Sequence, residues 1–133
     1  MEPGGGGDAV PALAPPGTAR VPVPNPHFAL VDRAKIEDYL LSPTHRRGRT
    51  KRRFFVSLGY TRAAWPRLAE DLKDHLLRHP VLRADLTVFG TKYIVRGSLH
   101  GPSGSAAIIV SVWIILPAED FPRFVTAYPG ERR

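Results

Sequence analysis

Apolar positions follow two different rules along this chain. Up to about residue 79 they recur at helical spacing; from residue 82 they alternate or run continuously. Ile36, Tyr39 and Leu40 stand at i, i+3 and i+4 and predict a short helix over 34–41, with Asp32 as N-cap and Pro43 as its stop. Phe54, Phe55 and Leu58 share one face and predict a second helix over 48–58, with Gly59 at its C′ position. Trp65, Leu68, Leu72, Leu76 and Leu77 give the apolar stripe of a third helix. Thr61 is its expected N-cap, Pro66 belongs to its first turn, and His79-Pro80 ends it. Glu70, Asp71, Lys73 and Asp74 form the polar side of that helix.

The second half reads as strands. Residues 82–89 alternate up to a turn at Gly90. Residues 92–99 place Tyr93 and Val95 on one face and Lys92, Ile94 and Arg96 on the other. A turn cluster, Gly101-Pro102-Ser103-Gly104, precedes residues 107–116, whose Ile and Val content predicts a central strand buried on both faces. A loop over 118–121 leads into a last strand, 123–128. Alternation there puts Phe124 and Thr126 on one face and Arg123, Val125 and Ala127 on the other, so Arg123 and Thr126 share a site only if a bulge intervenes. The expected architecture is α+β: three N-terminal helices packed on one face of a four-stranded antiparallel meander.

Residues 1–26 follow neither rule. Pro and Gly recur too often for a buried core, so we expect a disordered leader with polyproline character near Val21 to Pro26. A single α+β domain is expected over 27–133.

Charge changes the picture most. The 133 residues carry a formal net charge of +7. No acidic residue falls between Asp38 and Glu70, and that stretch holds Arg46, Arg47, Arg49, Lys51, Arg52, Arg53, Arg62 and Arg67. A basic cluster inside a folding segment points to a polyanion as partner, nucleic acid most simply. Cations in the first turns of the second helix oppose its dipole. A phosphate bound there would satisfy both the free N–H groups and the side chains. The ordinary alternative is a solvated basic face.

The chain has no cysteine, which excludes disulfides, thiol catalysis and cysteine-based zinc sites and fits a cytoplasmic setting. Its longest apolar run is too short to span a bilayer, so no membrane is expected. There is no Walker motif, dinucleotide fingerprint or nucleophile elbow, and no cofactor is implied. His75 and His79 have chelating i, i+4 spacing but read as surface residues of an ordinary helix, so no metal site is assigned.

Among the five histidines His45 alone lies in the basic cluster and is the candidate acid or base. Lys51 and Arg53 are the candidate phosphate ligands, with Arg46, Arg47 and Arg49 beside them. Lys92 is a candidate charge stabiliser on the open sheet face, next to Tyr93, which also reads as a core residue. Trp113 reads as core.

The pieces YLLSPTHRRGRTKRRFFVSLGY, W..L...L, GTKYIVRGSLHGPSG, SVWII and PRFVTAYP, in that order, resemble domain-of-unknown-function family 6883 from about Ala34 to Pro129. Gly48, Lys51, Phe55, Gly59, Gly90, Tyr93, Gly97, Gly101, Gly104, Trp113, Pro122, Arg123, Thr126 and Tyr128 fit its pattern, while Arg52, Arg96, Ser103 and Ser105 depart from it. The layout also resembles, at the level of fold, the toxin ribonucleases of the barnase, colicin and RelE type, which cut RNA without metal. That resemblance implies Arg123 and Thr126 as catalytic candidates beside His45 and Lys51, Tyr128 as a substrate-positioning residue, and an acidic antitoxin or immunity-type protein as partner. The competing expectation is a non-catalytic module whose basic face binds an acidic protein or a nucleic-acid backbone.

Overall fold

The computed structural model describes residues 22–44 and 48–130, the side chains of 48–50 excepted. The helical segments occupy residues 26–78. They precede the sheet without standing at the start of the chain, which corrects the expectation of N-terminal helices. A 3-10 turn, Pro26–Phe28, comes first. A single α turn, α1 (Arg33–Lys35), then widens into a π-helical segment, Ile36–Leu40, where one regular helix is expected. Asp32 sits at the N-cap with extended backbone but makes no capping bond from its side chain. Helix α2 (Gly48–Ser57) ends as predicted, with Gly59 at φ 102°. Helix α3 (Trp65–Arg78) starts later than predicted: Thr61 Oγ1 accepts from the Ala64 N–H at 3.2 Å, so it caps the turn before the helix.

Strands β1 (Val81–Thr87), β2 (Gly90–His100), β3 (Ala106–Ile115) and β4 (Arg123–Pro129) form an antiparallel meander in sequence order. The main core lies between this sheet and the helices. Leu68, Leu72 and Leu76 from α3 meet Phe55 and Leu58 from α2 and Tyr93, Val95 and Trp113 from the sheet. Trp113 and Phe124 pack edge to face at 5.3 Å. A smaller cluster of Ile94, Val110 and Val112, with Val125 against it, sits on the other sheet face.

One close approach fixes the helices against the sheet. Gly101 lies so near α2 that a Cβ there would stand 2.1 Å from the Leu58 carbonyl oxygen. The same carbonyl accepts from the Ser103 N–H at 3.1 Å, so the β2–β3 turn clamps the end of α2.

The stripe of α3 also buries His75, at 1% exposure, correcting its assignment to the surface. Its ring completes a polar chain inside the core. Gly97 O can only accept, so His75 Nε2–H donates to it (3.0 Å) and Nδ1 accepts from the Ser111 hydroxyl (2.9 Å). Ser111 Oγ in turn accepts from Trp113 Nε1–H (2.9 Å), so every polar group in the chain is partnered. Burial lowers the His75 pKa to about 4, against the smaller opposing effect of the Gly97 bond.

Candidate anion-binding site

Strand β4 carries one extra residue. Thr126 pairs with Val112 and Phe124 with Trp113, so two residues of β4 oppose one of β3. Val125 packs on the outer cluster, while Phe124 and Ala127 both face the main core. The bulge therefore moves Ala127 to the side opposite the one simple alternation predicts. Thr126, although it stands opposite Val112, brings its Oγ1 to the Tyr39 hydroxyl at 3.4 Å.

Tyr39 lies on the π-helical segment, half-buried at the edge of the core, with Ile36 and Leu40 holding the segment down at full burial. Two ammonium groups approach its ring: Lys51 Nζ at 5.7 Å and Lys35 Nζ at 5.9 Å from the centre. Partial burial pushes the phenol up. The hydrogen bond with Thr126 and the charges of Lys51 and Lys35 outweigh it, and the pKa lies below the ordinary tyrosine value. Relative to an ordinary tyrosine, the phenolate form of Tyr39 is thus favoured here.

Carboxylates of the helical half and of β1 pair with other cations. Glu37, Asp38, Asp71, Asp74 and Asp85 pair with Arg33, Arg62, Arg67, Arg78 and Arg83 respectively. Among the described residues no carboxylate pairs with Lys51, Arg52 or Arg53. Arg52 and Arg53 are exposed, and Lys51 is half-buried against the ring.

The structure gathers Lys51 and Thr126 around Tyr39 and distributes the other candidates elsewhere. His45, Arg46 and Arg47 lie outside the described residues, and the side chain of Arg49 likewise. Lys92 is half-buried on β2, in register with Asp85 and Ile114. Tyr128 stands opposite Val110 on β4, 39% exposed. Tyr93 is part of the main core at 8% exposure. Arg123 forms a two-point ion pair with Glu119 (2.7 and 2.6 Å) and stacks over Phe121 at 5.2 Å. Among the described residues no group of three or more His, Asp or Glu side chains could hold a metal ion. No helix among them is long and apolar enough to cross a membrane.

Sequence reasoning missed Tyr39 as a functional residue by assigning it to the apolar face of a regular helix. The one available signal was its polar tip on an otherwise aliphatic stripe.

The helices packed on one face of a four-stranded antiparallel meander define an α+β fold of the kind expected. The chain belongs to the family described as domain of unknown function (DUF6883), whose pattern it matches over residues 22–131. No curated protein matches it. Among solved structures it is similar to a chain of a contact-dependent growth inhibition toxin–immunity protein complex from Klebsiella pneumoniae 342. The identity is 20%, the TM-score 0.64, and the likeness covers 80% of this chain and 97% of that one. It is a likeness of fold.

Proposed function

We propose that the protein is an RNA-binding domain that acts as a metal-independent ribonuclease of toxin type. The observation that carries this reading is the convergence of Lys51 and Thr126 on Tyr39, at the foot of a segment whose cations have no acidic partners among the described residues. The fold shared with a chain of a toxin–immunity complex supports it.

In the proposed reaction a base removes the proton of a ribose 2′-hydroxyl, and the 2′-oxygen forms a bond to the adjacent phosphorus. The bond from phosphorus to the 5′-oxygen breaks, and an acid delivers a proton to that oxygen, leaving a cyclic phosphate. Lys51 and Arg53 hold the phosphate. Tyr39 and His45 are the proton carriers, and Thr126 orients the phenol. Lys92 on β2 and Arg123 and Tyr128 on β4 fall to substrate contacts away from the reacting phosphate. An acidic immunity-type protein is the proposed cellular partner, and the cytoplasm the proposed setting.

Purified protein incubated with labelled RNA in EDTA tests this, beside Lys51→Ala and Tyr39→Phe. Cleavage by the wild type and its loss in both variants is expected. Salt-sensitive binding without cleavage would replace the reading with that of a non-catalytic binding module.

A further inference from the structure

The segment leading into α1 and the β3–β4 loop enclose a second cavity of about 470 Å³, lined by Asn25, Phe28, Leu30, Asp120 and Phe121. Its walls are pinned. The Leu30 N–H donates to Pro122 O and the Phe124 N–H to Leu30 O, both at 2.9 Å, which ties this segment to the start of β4. Asn25 Nδ2 donates to the Asp120 carbonyl, and the Phe28 N–H to Asn25 O. On that fixed turn Phe28 holds its ring 73% exposed, although its neighbour Ala29 is core. Phe121 lines the same cavity and is covered on one side by the Arg123 guanidinium.

We infer that this cavity binds an unstacked nucleobase of single-stranded RNA. The inference rests on the nucleic-acid reading above and extends it to a substrate class. Two aromatic rings and a leucine in the lining suit a flat, neutral ring, since stacking on aromatic side chains is how single strands are held irrespective of sequence. The polar lining offers acceptors in the Asp120 carboxylate, with which no cation pairs among the described residues, and in the Asn25 amide oxygen, beside that amide's second N–H. Such a rim suits the N–H edge of a base and repels a phosphate. Arg123 is already neutralised by Glu119, so it braces the wall and attracts no backbone of its own. The cavity also lies within reach of the anion-binding site. Leu30 bridges to Arg123, three residues before Thr126, roughly 10 Å along the strand. A single strand with its phosphate at Lys51 reaches the cavity within a few nucleotides.

The test uses a single-stranded 2′-O-methyl oligonucleotide, which lacks the attacking hydroxyl, and the same backbone made abasic. Wild type, Phe28→Ala, Phe121→Ala, Phe28→Trp and Lys51→Ala are compared by equilibrium binding. The expected result is about a tenfold loss of affinity for the base-bearing strand in each Phe→Ala variant, with Phe28→Trp near wild type and the abasic strand unaffected by any change at Phe28. Lys51→Ala weakens both strands. Equal binding of the base-bearing strand by wild type and both Phe→Ala variants would overturn the cavity's role and leave RNA binding standing. Binding of neither strand by the wild type would overturn both.

Discussion

The Tyr39 hydroxyl reaches Thr126 Oγ1 at 3.4 Å across 87 positions of sequence, while Lys51 stands over the same ring. Tyr39 should therefore titrate below an ordinary tyrosine. Lys51→Met removes a positive charge, and Thr126→Val removes a hydrogen-bond donor to the phenolate; each should raise its pKa. Ultraviolet difference titration reads this, with Tyr39→Phe identifying the transition. Tyr60 does not interfere, because burial and its bond to Asp71 push its pKa far upward.

His75 makes stability depend on pH in a defined window. Its folded pKa of about 4 lies below the ordinary histidine value of 6.5, so the unfolded chain binds the proton more tightly. The contribution is complete above pH 6.5 and is lost as pH falls to about 4. Over that interval it amounts to roughly 3 kcal/mol. Urea unfolding between pH 7 and 4 measures it, and His75→Gln should flatten the slope.

Ser111 joins His75 to Trp113. Ser111→Ala leaves Trp113 Nε1–H and His75 Nδ1 without their partner in the core. A loss of roughly 2 kcal/mol or more is expected, because each buried orphan costs its desolvation. Val would fare no better, since it restores volume without a hydroxyl.

Gly97 lies flat beneath the His79 ring. A Cβ there would stand 2.2 Å from His79 Cγ. Gly97→Ala should force the ring off, break its Nε2 contact with Ser98 O, and cost about 1–3 kcal/mol. The double variant Gly97→Ala, His79→Ala should recover most of the loss beyond that of His79→Ala alone, which a double-mutant cycle resolves.

The cations of α2 should set the salt dependence of RNA binding. Each of Lys51, Arg52 and Arg53 that contacts a phosphate contributes about 0.7 to the slope of log affinity against log salt on a single strand. Changing each in turn to Gln shows which do. An unchanged slope in all three would remove α2 from the interface.

Much of the fold was legible because its signals are local. The stripe of α3, the glycine after α2 and the buried run of β3 each follow from near neighbours. Apolar patterning misled where it met water: Leu86, Val88 and Phe89, at the β1–β2 turn, are 73–87% exposed. His75 was legible in position, on the stripe of Leu68 and Leu72, and misread by residue type. The site was half legible. Charge drew attention to Lys51, and the family pattern to Thr126. Tyr39 joins them only through a π-helical segment and a bulge, and both depend on tertiary packing that no local spacing encodes.

The bulge in β4 makes the site sensitive to length as well as to composition. Thr126 already stands opposite Val112, and Val125 is the extra residue between that pair and the pair of Trp113 and Phe124; removing it would restore a regular pleat while Phe124 and Ala127 kept their partners. Every side chain of the site would still be present in the gene product, the charge would be unchanged, and the main core would remain filled. In the regular pleat the hydroxyl would follow Val112 to the outer face, away from Tyr39. For this protein a one-residue deletion far from the basic helix is thus equivalent to deleting a functional group.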